Sequence, residues 1–240
     1  MEEPRVVQCV MILALAATLL RLARTLPWQN VIACAVLTGA LAGIFQGVGA
    51  RTGIPFGPFF YTENIGHLVF HEVPWPLPLL YIAILLNVRD VARLILWRWR
   101  ETTNYGVWVI SLASLLATVF DAGLEPIAST GHWWIWTTSK SIPSWQGAPW
   151  INFAGWIATS FFILALATPW LINKKTSSQS PRDYFSLIIW VILTLLLAVN
   201  NASHKYWMTA ALTVAVDIVL VVLALRNSNV PSQVAKKSSH

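Results

Sequence analysis

Residues 105–130 read YGVWVISLASLLATVFDAGLEPIAST. From Tyr105 to Phe120 there is no charged side chain. Two carboxylic acids, Asp121 and Glu125, then follow one helical turn apart. A helix needs ~20 apolar residues to cross the hydrocarbon core of a bilayer. The stretch from 105 to 125 meets that length, so it predicts a transmembrane helix with two acids at one end. Pro126 is expected to end the helix soon after Glu125.

The rest of the chain repeats this pattern. Of its 240 residues, 56% are apolar and 11% charged, where a soluble domain carries about 25% charged residues. Most side chains therefore do not face water. Seven apolar segments come close to a span: 6–26, 31–50, 75–96, 105–125, 152–172, 184–201 and 207–226. Loops rich in Pro, Gly, Ser, Asn and charge separate them. The fold class is all-α, a polytopic membrane helix bundle of about seven transmembrane helices. Residues 1–226 are expected to form a single transmembrane domain and 227–240 a polar cytoplasmic tail. The start, MEEPR, carries acids before its first arginine, so the first apolar segment reads as a retained helix rather than a secretory signal. Cys9 and Cys34 lie in apolar segments and suggest neither a disulfide framework nor a metal cluster.

Charge then assigns sides. With seven spans, Arg5, Arg51, Lys140 and Lys205 fall on one side and the other twelve of the sixteen Lys and Arg on the opposite side. The positive-inside rule places the larger set, with the C-terminus, in the cytoplasm and the N-terminus outside. Topology thus accounts for the net charge of +6, and no nucleic-acid partner is expected. The outer side receives the two longest loops, about 51–74 and 126–151, with most of the loop aromatics and acids. A site is expected there or in the outer half of the bundle.

Asp121 and Glu125, spaced i,i+4, share one helix face. A charge at the bilayer centre costs ~2.5–3.5 kcal/mol on insertion scales, and intramembrane acids tend to face a cavity or the bundle interior. Two carboxyls this close disfavour joint ionisation. One turn of helix can therefore offer a general acid and a general base. The plain alternative is a helix end emerging into water; the Trp-rich loop that follows argues against it.

Other polar groups admit more than one role. His67 and His71, also i,i+4, precede Glu72 and have the spacing of two imidazoles on one metal. A di-iron site needs more histidines than the five present, interfacial hydrogen bonding explains the pair as well, and no metal is expected. Asp217, inside the seventh span, either pairs with a neighbouring helix or relays protons. Asp90 has Arg89 and Arg93 as local ion-pair partners. The fourteen tryptophans suit an interfacial belt, and some can wall a ligand site or face a cation. No dinucleotide fingerprint, phosphate loop, CxxC pair or nucleophile elbow occurs.

An ordered set of motifs carries a resemblance: PFGPFFYT at 55–62, Gly66, VPWPLPLLY at 73–81, FDAGLEP at 120–126 and GAPWINFAGW at 147–156. Together they resemble the CruF-type membrane carotenoid biosynthesis proteins, the carotenoid 1,2-hydratase family, over about 51–172. The resemblance implies a multi-span protein that hydrates the terminal 1,2 double bond of acyclic carotenoid ends. It implies a carotenoid substrate in the bilayer, and other carotenoid-pathway enzymes as candidate partners. By position, Tyr61, Glu63, Asp121, Glu125 and Asn152 occupy the motifs' polar places. The family often has Asp where Glu125 stands.

Hydration of an isolated alkene requires an acid to protonate C2, a tertiary cation at C1 and water to trap it. No redox cofactor, nucleotide or metal enters that balance, so no cofactor is expected. Asp121, Glu125 and Glu63 are the candidate acid and base. Tyr61, Trp75, Trp133, Trp134, Asn152 and Trp156 are the candidate substrate contacts. His67, His71, Glu72 and Asp217 form a further polar set. The competing readings are a non-catalytic carotenoid- or lipid-binding protein, and a small transporter with Asp217 as its proton site.

Overall fold

Proline and aromatic residues punctuate the helices. Pro27 and Pro149 cap the N-termini of their helices and Pro76 opens the first turn of another. Their missing N–H falls where a helix has no internal acceptor for it. The computed structural model describes residues 4–139, 141–172 and 183–228. It contains seven helices among them: α1 (Pro4–Ala23), α2 (Trp28–Thr52), α3 (Pro76–Ile95), α4 (Tyr105–Thr130), α5 (Trp150–Leu171), α6 (Phe185–Ser203) and α7 (Trp207–Ser228). These match the seven expected spans to within a few residues at each end. Lys140, Lys174, Lys175, Arg182, Lys236 and Lys237, which entered the assignment of sides, lie outside the described residues, as does nearly all of the expected tail.

Six helices are long and apolar enough to cross a membrane. The remaining one, α3, carries Arg89, Asp90 and Arg93, and its position explains why the bundle tolerates them. It packs against all six other helices, and every residue from Leu80 to Ala92 is buried. Arg89 and Asp90 therefore meet protein rather than lipid, while Arg93 is half-exposed at the end of the helix. Asp90 lies 3.1 Å from Arg89, 3.4 Å from Arg21 of α1 and 3.6 Å from Arg93. Arg89 Nη2 donates to the Leu171 carbonyl at 2.9 Å and Arg21 Nε lies 2.9 Å from Asp183. The expected local pairing of Asp90 is present and extends across the bundle to α1.

Elsewhere polarity is arranged as a bilayer demands. Leu13, Val36, Val199 and Ile218 are exposed, while Thr38, Gln46, Asn87 and Ser114 are buried. Apolar side chains on the outside and polar ones inside identify the surrounding solvent as hydrocarbon.

At the opposite end from the Asp90 cluster, the two long loops join. Strand β1 (Phe59–Tyr61) pairs antiparallel with β4 (Trp134–Trp136) in the register Phe59–Trp136, Phe60–Ile135, Tyr61–Trp134. Alternation along a strand sends Phe60 and Ile135 outward, both exposed, and the other four toward the bundle. Two small hairpins flank this ribbon: β2 (Leu68–Val69) with β3 (Val73–Pro74), and β5 (Ser144–Trp145) with β6 (Ala148–Pro149).

The expectation that Pro126 ends the fourth helix is corrected. α4 continues through Pro126 to Thr130. Proline lacks the N–H that would bond the carbonyl four residues earlier, at Ala122. The Trp145 indole supplies that donor instead, Nε1 to Ala122 O at 3.0 Å. In a membrane a proline is tolerated inside a helix when a neighbour satisfies the freed carbonyl in this way.

Phe56 shows how tightly the ribbon loop docks. A Cβ on Gly49 of α2 would lie 2.6 Å from its ring, and one on Gly155 of α5 would lie 2.8 Å from it. The two glycines let the ring wedge between α2 and α5 beside the site.

Candidate functional site

Asp121 and Glu125 face inward, each 1% exposed. The i,i+4 spacing puts them on one face of α4, and the continued helix keeps Glu125 under the β1–β4 ribbon. Asn152, in the first turn of α5, reaches both: its Nδ2 donates to Asp121 Oδ2 at 2.8 Å and to Glu125 Oε1 at 3.2 Å. Both hydrogens of one amide are thus committed to the acid pair.

The ribbon supplies the other contacts. The Nε1 groups of Trp134 and Trp136 each donate to Glu125 Oε2 at 3.2 Å. Residues two apart on one strand point to the same face, which is why both indoles converge on one carboxylate. Glu125 therefore accepts three N–H bonds. Asp121 accepts one, and its Oδ1 accepts none among the described residues.

Beside the acids lies a cavity lined also by Tyr61, Tyr81, Gln46, Phe56 and Trp156. Its water-accessible volume is about 30 Å³. A water needs roughly 10–15 Å³ on that measure, so the cavity has room for about two. Its walls are aromatic. Tyr81 stacks on Trp156 with centroids 4.4 Å apart and planes at 13°. Tyr61 meets Trp134 edge to face at 6.2 Å. Burial above all pushes the Tyr61 phenol well above its usual range, so it stays protonated.

Of the residues singled out from sequence, Asp121, Glu125, Asn152, Tyr61, Trp134 and Trp156 meet at this cavity. The others lie elsewhere. Trp133 is buried behind Trp134, ring centroids 6.2 Å apart. Trp75 packs against Gly66. The Glu63 side chain is 66% exposed and lies 3.9 Å from His67, itself 93% exposed. Glu72 pairs with Arg51 at 2.8 Å, and His71 stands on the loop at positive φ. Among the described residues no cluster of three His, Cys, Asp or Glu is placed to hold a metal.

Asp217 is apart from the cavity, buried between α6 and α7. It accepts from Trp190 Nε1 at 2.9 Å and from Thr194 Oγ1 at 2.9 and 3.0 Å. Of the two roles open to it from sequence, pairing with a neighbouring helix is the one this geometry describes.

Gln46 and Tyr81 line the cavity without having been singled out. Tyr61 Oη donates to Gln46 Oε1 at 2.5 Å, and Gln46 Nε2 donates to the Tyr81 hydroxyl. Gln46 left one signal in the sequence, a lone amide in the middle of an apolar span. Trp136, which is not among the candidate contacts from sequence, holds Glu125.

Fold and site together define a multi-pass membrane protein with a paired-carboxyl, aromatic-walled cavity at one end of its helices. The chain belongs to the carotenoid biosynthesis protein family, whose profile matches residues 6–220. It is also similar to bisanhydrobacterioruberin hydratase of Haloarcula japonica, 35% identical over 112 residues. That match covers 46% of this chain and 35% of the relative, about a third of the relative's length. No solved structure matches the chain.

Proposed function

We propose that the protein is a carotenoid hydratase that adds water across the terminal 1,2 double bond of an acyclic carotenoid end. The observation that carries this reading is Asn152 bridging two buried carboxyls whose remaining contacts differ. A carboxylate accepting several N–H bonds is stabilised as the anion, so Glu125, with three donors, carries the charge. Asp121, with one oxygen uncommitted toward the cavity, carries the proton.

The reaction follows from that assignment. Asp121 transfers its proton to C2, and the π electrons form the new C–H bond. The tertiary cation at C1 faces Trp134, Trp156 and Tyr61, whose ring faces attract positive charge. A cavity water adds through its oxygen and gives its extra proton to Glu125. A second water returns that proton to Asp121, closing the cycle with one water consumed. The reaction as balanced calls for no cofactor. Glu63 stands outside the cavity, so the acid and base roles fall to the α4 pair.

The relative's name supports a hydration, and membership of a carotenoid biosynthesis family supports a polyene substrate. A pure binding protein would use the aromatic walls but gains nothing from two buried acids, whose desolvation is costly. The positive-inside rule supports an orientation with the ribbon end outside and the Asp90 end, with the C-terminus, in the cytoplasm, and our reading places the chain in a cell inner membrane. The test is expression of the wild-type chain and Asp121→Asn in cells making an acyclic carotene. Wild type yields pigment heavier by one water, while the variant retains unhydrated carotene.

A further inference from the structure

We infer that Gln46 fixes a polarised water site in which Tyr81 donates and Tyr61 accepts, and that this site delivers the attacking water. The inference rests on the hydratase reading above and adds the groups that hold the nucleophile.

The argument is an account of protons. A phenol has one proton and can also accept. Tyr61 spends its proton on Gln46 Oε1 at 2.5 Å. Gln46 Nε2 then donates to the oxygen of Tyr81, so Tyr81 accepts in this chain and keeps its own proton. Both rings line the cavity beside Asp121. Tyr81 is 2% exposed and stacked flat on Trp156, so its hydroxyl has little freedom to turn elsewhere. A buried O–H is rarely left without an acceptor, and the cavity has space for about two waters. One placed there accepts from Tyr81 and donates to the lone pair of Tyr61. Its second lone pair remains for the cation, and its second proton for Glu125. The amide sets this polarity: with an acceptor at both ends, both phenol protons would be drawn away from the cavity.

The readout is the fate of the C1 cation, followed in membranes supplied with an acyclic carotene in D2O. When water is held in place, the cation is trapped and a hydrated product forms. When it is not, the cation gives up a C2 hydrogen to a carboxylate and the C–H pair re-forms the alkene; each return that removes the original hydrogen rather than the added deuteron leaves deuterium in the recovered carotene. Tyr81→Phe keeps the ring stacking and removes the donor. Its ratio of deuterated, unhydrated carotene to hydrated product should rise about tenfold or more over wild type, as expected for a mispositioned reactant. Gln46→Met, which keeps both tyrosines, should shift the ratio in the same direction and carries the test should Tyr81→Phe fail to fold. A wild-type ratio in either folded variant overturns the inference. So does loss of hydration and exchange together in a Tyr81→Phe protein that still binds carotene. A wild-type protein that neither hydrates nor exchanges would instead contradict the hydratase reading itself.

Discussion

The indole of Trp145 donates to the carbonyl of Ala122 at 3.0 Å, the carbonyl that Pro126 leaves without its helical partner. This one bond lets α4 run on beneath the ribbon, so that Glu125 sits under Trp134 and Trp136 rather than at a frayed end. Losing it leaves a part-buried carbonyl unpaired, which costs up to about 1–3 kcal/mol. Trp145→Phe should therefore lower the melting temperature in detergent. Pro126→Ala restores the N–H to Ala122, so the double variant should lose less than Trp145→Phe alone. A double-mutant cycle with no coupling between the two positions would contradict this account of the helix.

The carboxyl pair makes the sharpest prediction for activity. Asp121→Asn removes the proton donor and Glu125→Gln the acceptor. Each should lower hydration by about 10²–10⁴-fold, the usual contribution of general acid–base catalysis. Both variants keep their shape and should still retain carotene in purified protein. Pigment content by absorbance and product by mass separate these two quantities.

Asn152 offers a subtler case. Its amide holds both carboxyls, at 2.8 and 3.2 Å, so Asn152→Ala removes the bridge and leaves two buried oxygens short of a donor. Activity should fall, and stability by about 1–3 kcal/mol. Asn152→Asp should fare worse, because a third acid competes for the same protons. Turnover and thermal melts of the two variants check the order.

The reaction needs one acid protonated and one ionised, so its pH dependence should be bell-shaped. On the acid side Glu125 gains a proton and can no longer accept from water. On the alkaline side Asp121 loses the proton that C2 must receive. The two limbs belong to the pair as a unit, and Glu125→Gln should abolish the acid limb of whatever residual rate survives. Initial rates in permeabilised membranes across pH provide the measurement.

Close packing at Phe56 yields a prediction about the cavity wall. Gly155→Ala puts a methyl 2.8 Å from the Phe56 ring and 2.9 Å from the Pro55 carbonyl oxygen. Backbone on one side and a wedged ring on the other leave little room to yield. Overpacking of this kind costs about 1–3 kcal/mol, and the displaced ring should narrow the cavity. A thermal melt should register the first effect and a weakened carotene affinity the second.

Much of the fold was legible because hydrocarbon imposes a simple length rule on helices, and the seven segments obey it. The same rule has no purchase on the loops. FFY and WIW are only three residues long, too short for alternation to stand out from an aromatic-rich background, so the ribbon that joins them went unread. Pro126 misled for a definable reason: its local effect is to stop a helix, and the remedy, Trp145, lies nineteen residues further on. Asp121, Glu125 and Asn152 were visible because polar groups at the end of an apolar span are conspicuous. Gln46 and Tyr81 were not, since one amide and one phenol within α2 and α3 acquire meaning only when the two helices bring them together. Trp75 and Trp133 stand beside Trp134 among the candidate contacts in the sequence, and only the pairing of Trp134 with Tyr61 across the ribbon shows which of these rings lines the cavity.

The central claim is that Asp121 and Glu125 hydrate an acyclic carotenoid end. Its most direct test is the mass of the pigment extracted from cells that make an acyclic carotene and express the chain. The account predicts product heavier by one water with the wild-type protein, and unchanged carotene, still bound, with Asp121→Asn. Carotene of unaltered mass from well-inserted wild-type protein, across several acyclic substrates, would contradict it.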